Sequence, residues 1–562
     1  RLKPSGGKTG SPPLPPSEHP ASADTDSFGT GDSSPGGPPD EGVAPGPILA
    51  VIIRFYEQVL GQALRHRALV LMVCAAVLLG AYGIYHLLGS EFLPEFDEGA
   101  FVLDYVAPPG TSLAETDRIL RHVGQLLRET PEVESYSRRT GLQLGLSITE
   151  PNTGDFLVKL RTDRRRSTAE VTDDLRVAIE SSEPSLRVEF VGILSDLIGD
   201  LTSSPSPVEI KLFSEDEATL HRTAAEVAAA ISSIPGVVDV FDGVVTSGPA
   251  VTFRVDPQRA AQFGVTPADV AATVTTALTG TPASAILEQG RLITVRVGMP
   301  AGIQGSLAAL RGLPMRSATT GTVFRLDQVA DIEYDKGQKE IDRDGLRQVV
   351  AVTARLSGTD LGSTIRAIQA KIGRDVQLPP GLTVEYGGLY REQLDSFTEL
   401  VLALGFAVTL VFLVLLLEFR SFAHPVAIVT GAVLALGGVL LALWLTGTTV
   451  NVVSLVGMIM VVGLVAKNGI LMLDTVSDHL AAGAGLREAL IRSGRRRFRP
   501  VLMTTLAAIL GMLPLSLALG SGAELLQPLA VAVIGGLSVA LVLSLVVTPT
   551  VYALLYRPPA AP

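Results

Sequence analysis

At 562 residues the chain is long enough for several domains. Hydrophobic residues make up 47% and charged residues 18%, an apolar excess that excludes an ordinary soluble protein. The net charge of −11, with no basic stripe interleaved with aromatics, argues against nucleic acid as a partner.

Residues 1–47 are rich in Pro, Gly, Ser and Asp and cannot bury enough apolar surface to fold, so a disordered linker is expected. The chain opens at Arg1 with no signal peptide, and the sequence is read as starting inside a longer reading frame. Residues 48–62 place apolar side chains at helical spacing, the pattern of a helix lying in a membrane interface. A span needs about 20 mostly apolar residues. Six stretches meet this: 68–88, 397–417, 425–445, 452–476, 501–519 and 529–554. The single cysteine, Cys74, lies in the first and can make neither an internal disulfide nor a zinc knuckle.

Between the first and second spans, alternating strands and amphipathic helices recur. Strand, helix and strand are predicted at 100–106, 113–129 and 133–138, and again at 155–161, 168–181 and 186–191. The order returns at 208–213, 217–231 and 237–241, and at 348–356, 361–372 and 382–386. Pro-Gly turn signals stand at 108–110, 235–236 and 379–381. The fold class is therefore an α-helical bundle of six spans plus a large α+β extramembrane domain of repeated βαβ, ferredoxin-like units.

Basic residues give the orientation. His66 and Arg67 precede the first span, Arg420 and His424 separate the second and third, and Arg557 follows the sixth. Arg487, Arg492, Arg495, Arg496, Arg497 and Arg499 lie between the fourth and fifth. The alternate loops at 446–451 and 520–524 have no Lys or Arg. The basic side is cytoplasmic by the positive-inside rule, which puts 91–395 outside, in the periplasm of a Gram-negative host. No G-x-S-x-G, H-E-x-x-H or P-loop is present, so neither an enzyme nor ATP-driven chemistry is expected, and no cofactor.

The fourth span reads NVVSLVGMIMVVGLVAKNGILMLDTV over 451–476. The next loop and span read RRRFRPVLMTTLAAILGMLPL over 495–515, and GSEFLPEFDEG stands at 89–99. These segments, with one span, a large loop and then five spans, resemble the C-terminal half of resistance-nodulation-division efflux permeases, the inner-membrane pump subunits. The resemblance covers 48–556. It implies proton antiport, a homotrimer, a periplasmic adaptor and an outer-membrane channel. It also implies that the proton-carrying aspartate pair lies in a missing N-terminal half. In its terms 91–207 is a first porter subdomain, 208–249 with 335–395 a second, 250–334 a docking subdomain and 396–562 the five-span bundle.

Lys467 lies about nine residues, ~13 Å, inside its helix. A lone ammonium at that depth costs at least ~2.5 kcal/mol, so it should face the bundle interior and pair with a carboxylate. The resemblance makes Lys467 a relay lysine, with Thr504 and Arg497 on the neighbouring helix and Asn468 beside it. Protonating an aspartate would release Lys467 and repack the helices.

The cargo is read two ways. Soft-metal pumps use methionines in the outer cleft, and here the outer domain holds only Met299 and Met315. Asp104, Asp155 and Asp200 are candidates for a harder cation site, while His122 and His221 read as surface residues on amphipathic helices. The Ala-Lys-Asn-Gly-Ile-Leu core of the fourth span is closer to organic-solute pumps, and the balance favours organic, amphiphilic compounds. Divalent heavy-metal export by the same fold is the alternative. A membrane-anchored binding module or protein-export accessory is the alternative of another class, against which a charge buried in the bilayer argues.

Overall fold

The computed structural model describes residues 47–94, 96–141, 150–202, 206–246, 248–300, 306–335, 340–520 and 522–556. The expected linker, up to residue 46, lies outside the described residues. The chain divides into the units Arg1–Arg54 and Phe55–Pro562. In the first, the described part is the opening of helix α1 (Pro47–Arg65), where Arg54 Nε donates to Ala50 O at 3.3 Å.

In the second unit, the rest of α1 buries Tyr56, Leu60, Ala63 and Leu64, which recur on one helical face. Tyr56 packs on Phe498, and its hydroxyl donates to Leu545 O at 3.0 Å. Helix α2 (Arg67–Leu87) follows, apolar all round and mostly exposed.

The outer region begins with β1 (Ala100–Val106), α3 (Leu113–Glu129), β2 (Val133–Thr140), β3 (Thr153–Leu160), α4 (Thr168–Ser182) and β4 (Arg187–Val191). Ser112 and Ser167 cap α3 and α4 by accepting from backbone N–H groups of the first turn. The repeats read from the sequence are present, but the two strands of a repeat do not pair. The order is β2-β3-β1-β4, all antiparallel, so two repeats interlock into one sheet. Side chains alternate across it. Phe101, Leu103, Tyr105, Phe156, Val158 and Phe190 form a core that also takes in Val123 and Leu127 of α3 and Val171 and Ile179 of α4. Asp104, Asp155 and Glu189 therefore share the opposite face.

Helix α5 (Ile193–Thr202) leads to β5 (Val208–Phe213), α6 (Glu217–Ile231) and β6 (Val237–Phe241). A second body then interrupts: β7 (Ala250–Val255), α7 (Pro257–Gln262), α8 (Pro267–Leu278), β8 (Thr281–Glu288), β9 (Arg291–Val297), α9 (Leu307–Arg311), β10 (Pro314–Arg316), β11 (Val323–Arg325) and β12 (Ala330–Asp335). It has its own core around Val270, Leu313, Met315 and Leu326. The chain returns with β13 (Asp342–Asp344), β14 (Arg347–Leu356), α10 (Leu361–Asp375) and β15 (Thr383–Gly387). The second sheet runs β13-β14-β5-β15, with β6 on β14, and repeats the first topology. The expected turns occur at Gly236 and Gly381, whose φ of +82° and +88° only glycine adopts easily.

Five long helices close the chain: α11 (Leu389–Phe419), α12 (Ala423–Thr446), α13 (Val452–Ala481), α14 (Leu486–Ser516) and α15 (Gln527–Leu555). With α2, six helices are long and apolar enough to cross a membrane. Two begin earlier than hydropathy indicates, at Leu389 rather than 397 and at Leu486 rather than 501. Glu, Gln and Arg are good helix formers, so nothing stops either helix at the edge of its apolar stretch. α12 and α15 meet through small residues: a Cβ at Gly438 would stand 2.6 Å from Val539, and one at Gly535 would stand 2.3 Å from Ala442.

Candidate functional site

Helix α13 is fixed at its start by a capping box. Ser454 N donates to Asn451 Oδ1 and Asn451 N donates to Ser454 Oγ, both at 2.9 Å. Val461, Val462, Val465, Asn468, Gly469 and Met472 then face inward and are buried. Lys467 falls on the other side and is exposed, with Met460, Leu464 and Asp474 along the same strip. The lysine therefore faces away from the other five helices of this chain. Among the described residues no carboxylate reaches it, because the inner face is filled by apolar residues and the lysine side of α13 is left bare by the other five helices.

Asn468 is buried. The Thr504 hydroxyl turns back along its own helix, donating to Pro500 O at 3.0 Å. Arg497 reaches across to α13, where its Nε donates to Thr475 Oγ1 at 2.7 Å. Among the described residues, no hydrogen bond joins Lys467, Asn468, Thr504 and Arg497 to one another. Sequence reasoning passed over the polar groups at the arginine-bearing end. His479 Nδ1 lies 2.7 Å from Thr475 O and 3.4 Å from Ser493 Oγ. His424 is buried against Phe419 and Tyr552, with Nε2 3.2 Å from Ser477 Oγ. The run Asp-Thr-Val-Ser-Asp-His at 474–479, polar at the end of an apolar helix, was the available signal.

Above the bundle, strand register assembles a row of charge. Arg139, Asp155, Asp104 and Glu189 stand directly opposite one another across β2, β3, β1 and β4. Arg139 holds the fully buried Asp155 with two bonds, at 2.7 and 2.8 Å. Arg355 of the second sheet donates to Glu189 at 2.5 Å. Asp104 lies between them, and among the described residues no arginine is bonded to it. Burial, and then the nearby Glu189, Asp196 and Asp155, push its carboxyl up to about 7, against the pull of Arg355. The Asp200 side chain lies outside the described residues. Asp155, spent on Arg139, is a poor cation ligand, and no group of three His, Cys, Asp or Glu among the described residues is placed to hold a metal. His122 lies 2.9 Å from Glu183, and His221 is buried rather than on the surface. Met315 is in the core of the inserted body with Met299 packed against it, so neither thioether lines the cleft.

The two sheets are tied by a second pair. Arg176 of α4 donates to Asp239 of β6 at 2.7 and 3.1 Å, and Phe190 N donates to the same carboxylate at 3.2 Å. Between the sheets is a cavity of about 330 Å³ whose lining includes Phe92, Phe96, Glu98, Arg176, Phe190 and Arg355.

The profile of the AcrB/AcrD/AcrF family matches residues 45–556. The cobalt-zinc-cadmium resistance protein CzcA of Cupriavidus metallidurans is 31% identical over 515 residues, covering 90% of this chain and 48% of its own length. The nickel and cobalt resistance protein CnrA of the same organism is 30% identical over 482 residues, covering 84% of this chain and 44% of its own. A crystal structure of a heavy metal efflux pump superposes with a TM-score of 0.80 at 28% identity, covering 91% of this chain and 53% of that one. The chain thus spans about half the length of the curated relatives it matches. It belongs to the AcrB/AcrD/AcrF family of resistance-nodulation-division permeases.

Proposed function

We propose that this chain is the C-terminal half of a proton-driven inner-membrane permease that exports divalent transition-metal cations. The observation that carries the transport reading is Lys467, a cation in the middle of a membrane helix on a face the other five helices leave bare. Such a charge needs acids from elsewhere. An N-terminal half that supplies an aspartate pair meets that need, and relatives twice as long have room for it. Protonating those acids frees Lys467, and Arg497, Asn468 and Thr504 carry the change between α13 and α14. Transport, rather than catalysis, is the activity.

The cargo follows the relatives. Those named for cobalt, zinc, cadmium and nickel resistance favour metal cations over the organic compounds indicated by the fourth span. Of the three aspartates, Asp104 is the one to expect at the cation path, since Asp155 is held by Arg139. We read each interlocked sheet as a ferredoxin-like porter subdomain, the inserted body as the docking subdomain, and the outer region as periplasmic. A homotrimer, a periplasmic adaptor and an outer-membrane channel complete the assembly.

One observation keeps organic cargo as a second reading: the cavity between the sheets has Phe92, Phe96 and Phe190 in its lining. Cells relying on the full-length permease separate the two. With Lys467→Met, tolerance to zinc, cobalt and cadmium should collapse while dye and drug tolerance holds. Loss of dye tolerance alone would favour organic cargo. Unchanged tolerance to both, with the protein present in the membrane, would leave a binding or assembly module.

A further inference from the structure

One face of α14 changes chemistry without changing direction. Arg492, Arg495, Arg496 and Arg499 recur at i, i+3, i+4 and i+7, and all four are exposed. Met503, Leu506, Leu510 and Leu513 continue the same face and are exposed as well. The opposite side, including Leu490, Ser493, Phe498 and Val501, is buried. Arg492 has Glu488 one turn back at 2.6 Å, and Arg495 has Glu57 of α1 at 3.6 Å. Arg496 and Arg499 have no ion pair among the described residues.

A face made only for water would not continue as four exposed apolar side chains. A face made for helix packing would not begin with four guanidinia. Guanidinium followed by hydrocarbon along one line is the complement of an amphiphile with an anionic head. Planar guanidinia bind phosphate oxygens through paired N–H donors. Helix α1 meets the edge of the strip at Arg495, through Glu57. We infer that this face of α14 binds an anionic phospholipid, its phosphate against Arg495, Arg496 and Arg499 and its chains along Met503, Leu506 and Leu510. The inference rests on the placement of the helices in a bilayer and is independent of the cargo.

The test uses the full-length permease in detergent, doped with phosphatidylglycerol or phosphatidylcholine, with retained lipid read by native mass spectrometry. Phosphatidylglycerol should be retained in preference. Arg495→Gln, Arg496→Gln and Arg499→Gln should weaken its retention about five-fold each and on the order of a hundredfold together. Phosphatidylcholine retention should not change, and neither should the result for Arg487→Gln, which lies off this face. Equal retention by the parent and the triple variant would overturn the proposal. So would full competition by inorganic phosphate at the same concentration, which would indicate a site for soluble anions. Should the triple variant fail to fold, Leu506→Ser with Leu510→Ser gives a second reading. Retention should fall with every arginine in place, and unchanged retention counts against the proposal.

Discussion

Arg497 of α14 donates to Thr475 of α13 at 2.7 Å, and the same threonine hydroxyl donates to Leu471 O at 3.0 Å. The helix carrying Lys467 is thereby pinned to the helix carrying Thr504, about two turns from the lysine. Thr475→Val keeps the shape and removes the acceptor, leaving a half-buried guanidinium short of a bond. A loss of about 1.5 kcal/mol is expected. A lowered thermal midpoint, recovered in Thr475→Ser, is the check.

Asp104 gives a pH dependence with a definite sign. Its carboxyl holds its proton up to about 7 in the fold and releases it near 4 when unfolded. Between those values the folded state binds the extra proton, so stability falls as pH rises from about 4 to 7 and stays low above. Asp104→Asn should therefore match the parent near pH 4 and exceed it at pH 8, by on the order of 2 kcal/mol. Thermal midpoints at pH 5 and pH 8 measure this. A parent–variant gap that does not widen with pH would count against it.

Of the Arg176–Asp239 and Arg355–Glu189 pairs between the sheets, the first is the more buried, with Asp239 1% and Arg176 11% exposed. Asp239 has a φ of 50°, which asparagine tolerates. Asp239→Asn thus isolates the charge and leaves Asp173 as the one carboxylate holding the Arg176 guanidinium, at a cost of about 1–3 kcal/mol. Proteolysis between the two sheets should quicken, while the membrane helices stay protected.

Gly438 and Gly535 set how closely α12 and α15 approach. Adding one methyl at Gly535 forces the backbones apart, because the atom it meets is Ala442 Cβ and the next is Gly438 O at 2.6 Å. Gly535→Ala should cost about 1–3 kcal/mol. Gly405→Ala on α11, where nothing lies within 4 Å, should cost almost nothing. Folded yield and thermal midpoint of the two variants make the comparison.

The spans were legible because about 20 apolar residues leave few other readings. The strands and helices of the outer region were legible for the same local reason. That β3 would separate β1 from β2 was not, since pairing order is a long-range property. Lys467 stood out as a cation inside an apolar run. Its outward direction depended on which helices surround α13, which periodicity does not report. The Arg139–Asp155 bond needed strand register, so Asp155 read as a cation ligand when it was already committed. Under the proposed function, the motif around Lys467 bears on energy coupling rather than on cargo. Reading the cargo from it gave the organic preference, and the metal-resistance relatives favour the alternative.

Neighbours in sequence, β5 and β6 are kept apart in the second sheet by β14. The first sheet has all its strands by residue 191, whereas the second lacks a middle strand until residue 356 has left the ribosome. During synthesis β5, α6 and β6 must wait with apolar sides uncovered while the inserted body matures on its own. A lengthened stretch between β6 and β14 would prolong that vulnerable interval, so slow assembly and dependence on chaperones belong to this half of the outer region rather than to the other.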